Sequence, residues 1–159
     1  MLRLTMILAA AAMAATIASA PARAENAQPY SGMQVIDTTL PFEPFRQQLL
    51  QAIKANKMGV VANACGSCGA KAIGVTIPGN QVIMVFRPDY AVRMLKASIE
   101  AGIEAPLRLY LTEQADGKAR LTYRLPSHVF GAYEVPELDV MASELDTLLA
   151  KIVQDALGK

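Results

Sequence analysis

The two cysteines of this 159-residue chain lie three positions apart, in the stretch ANACGSCGAKAIG at residues 62–74. Two thiols at this spacing can close a disulfide across a tight turn, and the small residues Gly66 and Ser67 between them permit that turn. The same pair can exchange a disulfide with another thiol, or hold a soft metal ion such as copper(I). The pattern therefore leaves a structural bridge, a redox pair and a metal site open at Cys65 and Cys68.

The neighbours of the two cysteines bear on the first two alternatives. The apolar strand candidate VVANA precedes them, and the segment after them allows a turn or two of helix before Gly74. A thiolate at the start of a helix is stabilised by unpaired backbone N–H groups, which lowers the pKa of the thiol. So short a ring removes little entropy from the unfolded chain, about 2 kcal/mol. We predict a disulfide between Cys65 and Cys68, either structural or redox-sensitive, with Cys65 the more exposed sulfur if the pair exchanges.

A metal site would need ligands beyond the cysteines, because structural zinc sites usually hold four protein ligands and catalytic ones three. The only histidine, His128, is sixty residues away, and Gly69 stands where a c-type haem motif needs histidine. We predict no cofactor, with copper or zinc at Cys65 and Cys68 as the alternative. Because neither a nucleophile elbow nor a phosphate loop occurs, we expect a binding or accessory protein rather than an enzyme.

Arginines form the second candidate site. Arg108 lies in the run PLRLYLTE, and Arg120 and Arg124 lie in the run ARLTYRL. If the two runs pair as a hairpin, these side chains can share one face of a sheet. We predict a solvated polar sheet face, with anion binding at Arg108, Arg120 and Arg124 as the alternative.

Hydrophobic periodicity indicates the elements that position these residues. A helix is predicted over PFEPFRQQLLQAIKANKMG, since Phe42, Phe45, Leu49 and Ile53 share one face. QVIDTTL predicts a first strand, QVIMVF a strand buried on both faces, and YAVRMLKASIEA a helix capped by Asp89. The alternating runs on either side of QADGK predict a hairpin.

The segment 136–157 carries one apolar stripe and predicts a long amphipathic helix. The elements together predict the α+β class: a single compact domain with a mixed, mainly antiparallel sheet, helices packed on it and a long C-terminal helix.

Residues 1–24 read as a secretory signal peptide. A basic residue at position 3 is followed by an alanine-rich apolar run and by the A-x-A site at Ala22–Ala24. We place the cleavage after Ala24, followed by a disordered lead-in at residues 25–33 and a domain at residues 34–159. We expect a periplasmic or secreted protein, without a membrane span once the signal is removed.

Charge bears on the partners of the exported chain. Without Arg3 and Arg23, 13 basic residues stand against 14 acidic ones, a net charge of −1. Because the basic residues form no one-sided patch, we expect no nucleic-acid binding. The expected partner is a small molecule or a periplasmic protein.

From the first strand to the last helix, the order of motifs resembles the DUF302 family. That order is a helix and a strand, A-x-x-G, a proline, an apolar strand ending in proline, a helix, a strand opening after proline, D-G-K and a tyrosine-bearing strand. The matching residues are Gly69, Ala70, Ala72, Gly74, Pro78, Phe86, Pro88, Pro106, Leu107, Asp116, Gly117, Lys118, Tyr123 and Pro126. The resemblance covers about residues 34–157. It implies a compact α+β fold and admits a homodimer, but it implies no established activity.

This chain departs from the family pattern at three places. It has Phe86-Arg87-Pro88 where many members carry G-N-P, and residues 91–95 read AVRML in place of G-T-P-L-M. Cys65-Gly66 stands where many carry an acidic residue and histidine, so no role of that histidine transfers. A thioredoxin-like fold, with Pro106 in the place of its cis-proline, is the alternative. Against it, Gly74 and Pro78 stop any long helix after the cysteines.

Overall fold

The structure of the protein is a computed structural model, and it describes residues 30–159. The predicted signal peptide and residues 25–29 of the predicted lead-in lie outside the described residues. Of the rest of that lead-in, Ser31 and Gly32 form a turn and Met33 is already the first residue of a strand.

The described residues form five strands, five α-helices and one 3-10 helix. In chain order they are β1 (Met33–Pro41), α1 (Phe42–Ala55), β2 (Gly59–Cys65), α2 (Gly66–Ala72), β3 (Asn80–Phe86), α3 (Pro88–Ala97), the 3-10 helix Glu100–Glu104, β4 (Leu107–Glu113), β5 (Lys118–Arg124), α4 (Pro126–Gly131) and α5 (Pro136–Ala156). The α+β class is confirmed.

The five strands form one sheet in the order β1-β5-β4-β3-β2, and every neighbouring pair is antiparallel. The first two strands in sequence are therefore the two edges of the sheet. Helix α1 connects those edges by crossing the sheet, because the chain must pass from β1 on one side to β2 on the other. The predicted sheet was mixed and mainly antiparallel, whereas all of its observed neighbour pairs are antiparallel.

One face of the sheet carries the helices. The inward residues of β3, β4 and β5 pack against α1 and α5 in a buried apolar cluster that includes Phe45, Leu49, Leu121, Leu149 and Ile152. Alternate strand residues are buried, which gives β5 its pattern of exposed and buried positions. The opposite face, which we call the outer sheet face, has no helix packed on it in the described part of the chain.

A second buried cluster joins the helices to one another. It consists of apolar residues of α3, the 3-10 helix, α4 and α5, with Phe130 and Met141 among its most deeply buried members. The full set is Met94, Ala101, Phe130, Leu138, Met141, Ala142 and Leu145. This cluster fixes α4 and the 3-10 helix beside the starting end of β4.

The strongest local patterns predict their elements correctly. Helix α1 buries Phe45, Leu49 and Ile53 on the predicted face. The hairpin forms around Gln114–Gly117, and Leu109 lies opposite Tyr123 across its two strands. Helix α5 spans all but the last residue of its predicted range.

Two local predictions are wrong. Strand β3 is buried on the helix side alone, because Val82 and Met84 point to the outer sheet face and stay half-buried. Asp89 does not cap α3: it lies inside the first turn and pairs with Arg87, the N-cap residue, at 2.8 Å. That helix begins earlier than predicted because Pro88 is compatible with a first helical position.

The thioredoxin-like alternative is excluded by the helix that follows the cysteines. Helix α2 has seven residues and ends before Gly74, whose φ of 78° breaks the helix. The peptide bond before Pro106 is cis and leads directly into β4.

Candidate functional site

The predicted arginines all lie on the outer sheet face. Leu109 and Tyr123 are paired and buried on the helix side, so the residues beside them, Arg108 and Arg124, point outward on adjacent strands. Arg120 lies opposite Thr112, four residues from Arg124 along β5. The prediction that these side chains share a face is geometrically correct.

Their charges are not equivalent. Arg120 forms a two-pronged ion pair with Asp37 of β1, with N–O distances of 2.6 and 3.1 Å. The hydrogen bond from Arg120 holds the pKa of Asp37 below its usual range. Among residues 30–159, Arg108 and Arg124 have no carboxylate within ion-pair distance. Two uncompensated cations therefore stand side by side, and the third is neutralised.

A cavity of about 240 Å³ opens beside these two cations. It extends from the outer sheet face at Tyr110 and Thr122 to the end of the hairpin, where Val129 of α4 borders it. Its lining residues are Met33, Val82, Glu104, Leu107, Arg108, Tyr110, Thr122, Tyr123, Arg124, Val129 and Leu149. We call this cavity the hairpin cleft. Its wall is mainly apolar, with two guanidinium groups and two hydroxyl groups at the outer side.

A shallower depression continues the hairpin cleft towards the start of the described chain. Arg124 borders both, and its guanidinium lies 5.1 Å from the centre of the Tyr30 ring, a cation–π distance. Ser31 Oγ lies 3.1 Å from Nε2 of His128, which is exposed. The residues before β1 thus extend the cleft.

One acidic side chain also borders the hairpin cleft. The carboxylate of Glu104 accepts a hydrogen bond from the Tyr133 hydroxyl at 3.2 Å. Burial, with that hydrogen bond, raises the pKa of Tyr133. On the cleft wall itself, burial and then the Asp146 carboxylate raise the pKa of Tyr123. Because Tyr123 and Tyr133 stay protonated at neutral pH, the two arginines outweigh the one glutamate.

The cysteines lie at the β2 edge of the sheet, towards the opposite end of the strands from Arg108 and Arg124. Cys65 ends β2 and is the N-cap of α2, and a disulfide joins it to Cys68 with the Cα atoms 5.2 Å apart. The backbone N–H of Cys68 donates to Cys65 Sγ at 3.1 Å. Gly66 lies so close to Asn80 that a side chain there would come within 2.8 Å of its Oδ1. The close approach explains why the turn uses glycine.

The disulfide borders a second, polar cavity of about 360 Å³. Asn63 and Gln81, joined by a side-chain hydrogen bond, form its floor, and Glu43 and Arg46 of α1 form its wall. A hydrogen bond from Arg46, with another from Gln47, lowers the pKa of Glu43 to about 2. Glu43 is paired with Arg46, so the two charges that border this cavity balance each other.

The exposures of the two cysteines reverse the order predicted from the sequence. Cys65 is half-buried, while Cys68 is exposed. The reason is that Cys65 still belongs to the sheet, where it pairs with Gln81, whereas Cys68 lies in α2, a helix without a buried residue. Across the described part of the chain, no three His, Cys, Asp or Glu side chains cluster closely enough to hold a metal ion.

Comparison with known proteins identifies the family. Residues 34–156 match the family model described as "Domain of unknown function DUF302". The chain belongs to the DUF302 family. The resemblance inferred from the order of motifs is therefore confirmed over almost the same residues. No curated protein matches this DUF302 chain.

The fold is shared with a solved DUF302 structure. The chain superimposes on the crystal structure of an uncharacterized conserved protein DUF302 from Bacillus stearothermophilus with a TM-score of 0.71. The match covers 80% of this chain and 99% of that chain, at 17% sequence identity. The likeness shows that this chain shares the fold of that DUF302 protein.

Several residues of the hairpin cleft were not predicted from the sequence of this DUF302 domain. Glu104, Tyr110 and Val129 come from three elements that meet only in the folded chain. The alternation of Tyr110 with buried leucines in β4 was a usable signal, because it places the tyrosine on the same face as Arg108.

None of the helices formed by the described residues is long and apolar enough to cross a membrane.

Proposed function

We propose that this protein is an exported DUF302 binding protein, and that the hairpin cleft takes a small monoanion with an apolar body. One observation carries the proposal: among the residues that the structure describes, Arg108 and Arg124 have no ion-pair partner, and they lie next to each other beside a mainly apolar cavity. Guanidinium groups bind carboxylates with charge-assisted hydrogen bonds. The proposal of export rests on the signal sequence at residues 1–24.

The wall of the cleft favours this class of ligand over a bare anion. Met33, Val82 and Leu107 offer apolar contacts, and Tyr110 and Thr122 offer hydroxyl groups. A cavity of about 240 Å³ lies below the usual range for drug-sized ligands, so it suits a short chain or a single ring. Glu104 at the border disfavours a dianion.

Binding of carboxylates of increasing chain length tests the proposal. We expect octanoate to bind and acetate not to bind measurably, because each buried methylene adds about 0.8 kcal/mol, or about fourfold in affinity. Octanol, which lacks the charge, should bind more weakly. Calorimetric titration at low and high salt measures the affinity and its electrostatic part.

Two matched variants locate the site. Arg108→Gln and Arg124→Gln should each lower the affinity for octanoate by about tenfold or more, because a charged hydrogen bond contributes about 1.5–3 kcal/mol. Arg120→Gln is the control. It removes a charge from the same sheet face, but Asp37 already neutralises that charge, so the affinity for octanoate should stay unchanged. Equal losses in all three variants, or no binding at all, would contradict the proposal.

Thiol–disulfide exchange is a second candidate function, favoured by the exposure of Cys68. In it, a partner dithiol would reduce the bridge to two thiols and become a disulfide itself. We propose instead that the bridge is structural. It should have a reduction potential below about −300 mV, and Cys65→Ser with Cys68→Ser should cost about 2 kcal/mol of unfolding free energy.

Redox titration and urea unfolding of the exported protein measure both quantities. Serine is used at both positions because it is close to cysteine in size, so the variant removes the bridge without leaving a large cavity. A potential between about −200 and −120 mV lies in the range of oxidising exchangers and would make exchange the function instead.

A further inference from the structure

Strand β2 is an exposed sheet edge. Within the described residues it pairs with β3 alone, and six of its seven residues are exposed. Val61, at the point where its register with β3 shifts, is 54% exposed. The strand, with the sequence GVVANAC, contains no charged residue and no proline. Its free backbone N–H and C=O groups are therefore available to another strand.

The opposite edge of the same sheet is protected. In β1 the register shifts between Asp37 and Pro41, and the strand ends at that proline. The backbone N–H of Leu40 is occupied by Thr38 Oγ1 at 3.2 Å, and Asp37 adds a charge held by Arg120. A shifted register, proline and charge are the usual devices that prevent edge pairing. Strand β2 also has a register shift, at Val61, but it has neither the proline nor the charge of β1, and this difference distinguishes the two edges.

We propose that β2 pairs with β2 of a second copy of this chain. The two strands run antiparallel about a local two-fold axis and join the two sheets into one of ten strands. A symmetric contact of this kind places the same surface on both copies. The proposal concerns the edge of the sheet and is independent of ligand binding in the hairpin cleft.

The absence of charge on β2 favours a second copy of this chain as the strand that pairs with it. Two-fold pairing brings each residue of β2 opposite another residue of β2, and like charges facing each other across strands are unfavourable. Because β2 carries no charge, the strand meets itself without that cost. With the axis at Ala62, Val60 faces Ala64 and Val61 faces Asn63 of the other copy, so the groups that meet are small or apolar side chains and one amide from each copy. Asn63 is already bonded to Gln81 within its own copy.

The length of β2 limits how strongly two copies can associate. The disulfide and α2 turn the chain away from the edge at Cys65, which limits the contact to one short strand. Since stable interfaces bury about 800 Å² per partner, one short strand predicts a weak dimer. Protein concentrations from about 1 to 500 µM cover weak association.

Sedimentation equilibrium of the exported protein across this concentration range tests the proposal. We expect a monomer–dimer equilibrium, and we expect Val61→Lys to raise the dissociation constant by at least about tenfold, because lysine is a common protector of edge strands. Thr39→Lys is the matched control, since it places the same charge on an exposed position of β1. It should leave the equilibrium unchanged.

Hydrogen exchange of the β2 amides distinguishes the remaining outcomes. The proposal requires their protection to increase with protein concentration in the unmodified protein and not in Val61→Lys. A dimer that Val61→Lys leaves intact overturns the assignment of the edge. A monomer at all concentrations overturns the proposal. Protected β2 amides in that monomer would mean that another part of the chain covers the edge, and unprotected amides would mean that the edge pairs with a different protein.

Discussion

Phe45→Ala should lower the free energy of unfolding by about 3–5 kcal/mol, which is a large share of the 5–15 kcal/mol that stabilises a typical domain. Phe45 is fully buried in the cluster between α1, the sheet and α5. Truncation removes the favourable transfer of its ring from water and leaves a cavity that the sheet cannot close. Urea unfolding followed by circular dichroism measures the change.

Val92→Ala is the control for this prediction. Val92 is 53% exposed on α3, and the loss of its methyl groups should change the unfolding free energy by less than about 0.5 kcal/mol. A cost below about 1 kcal/mol for Phe45→Ala would contradict the placement of α1 on the inner face, because a truncated core phenylalanine does not cost so little.

Phe130→Ala should also cost about 3–5 kcal/mol, and it should affect binding as well. Phe130 is 1% exposed and holds α4 in the second buried cluster. Its neighbour Val129 lines the hairpin cleft, and Glu104 of the adjoining 3-10 helix borders it. We therefore expect the affinity of folded protein for octanoate to fall by about tenfold, since a misplacement of about 1 Å in a supporting element is costly.

Comparison with Phe45→Ala separates stability from cleft geometry. Below its unfolding midpoint, Phe45→Ala should lose less affinity for octanoate than Phe130→Ala, because the first cluster contributes Tyr123 and Leu149 to the cleft wall but neither Val129 nor Glu104. Val140→Ala is the control for truncation of an exposed side chain: Val140 is 61% exposed on α5, so the variant should change neither the stability nor the affinity for octanoate. If the two phenylalanine variants lose affinity equally, α4 does not position the cleft.

The elements that the sequence predicts well are those with a complete local signal. Helix α1 repeats apolar residues at spacings of three and four, and the β4–β5 hairpin places Asp116-Gly117 between two alternating runs. Gly117 has φ of 78°, the conformation for which glycine is suited. By contrast, the short helix α4 has too few residues for a periodic pattern, and neither it nor the 3-10 helix was predicted as a separate element.

The candidate site was predictable in part for the same reason. The alternation of β4 and β5 placed Arg108, Arg120 and Arg124 on one face. The neutralisation of Arg120 was not predictable, because Asp37 lies 83 residues earlier in the chain and reaches it only through the pairing of β1 with β5. The exposure of Cys68 likewise depends on how α2 packs beside β3.

The sequence by itself determined the DUF302 family, the α+β class, the principal helices and the hairpin, because periodicity and turn residues act within a few positions of one another. Within residues 30–159, only the tertiary structure decided that β1 and β2 are the edges, that β2 lacks the proline and the charge of β1, and that Arg108 and Arg124 have no ion-pair partner beside a cavity. Those properties depend on contacts between residues distant in sequence. No local pattern records which strand becomes the neighbour of which, or which carboxylate reaches which arginine.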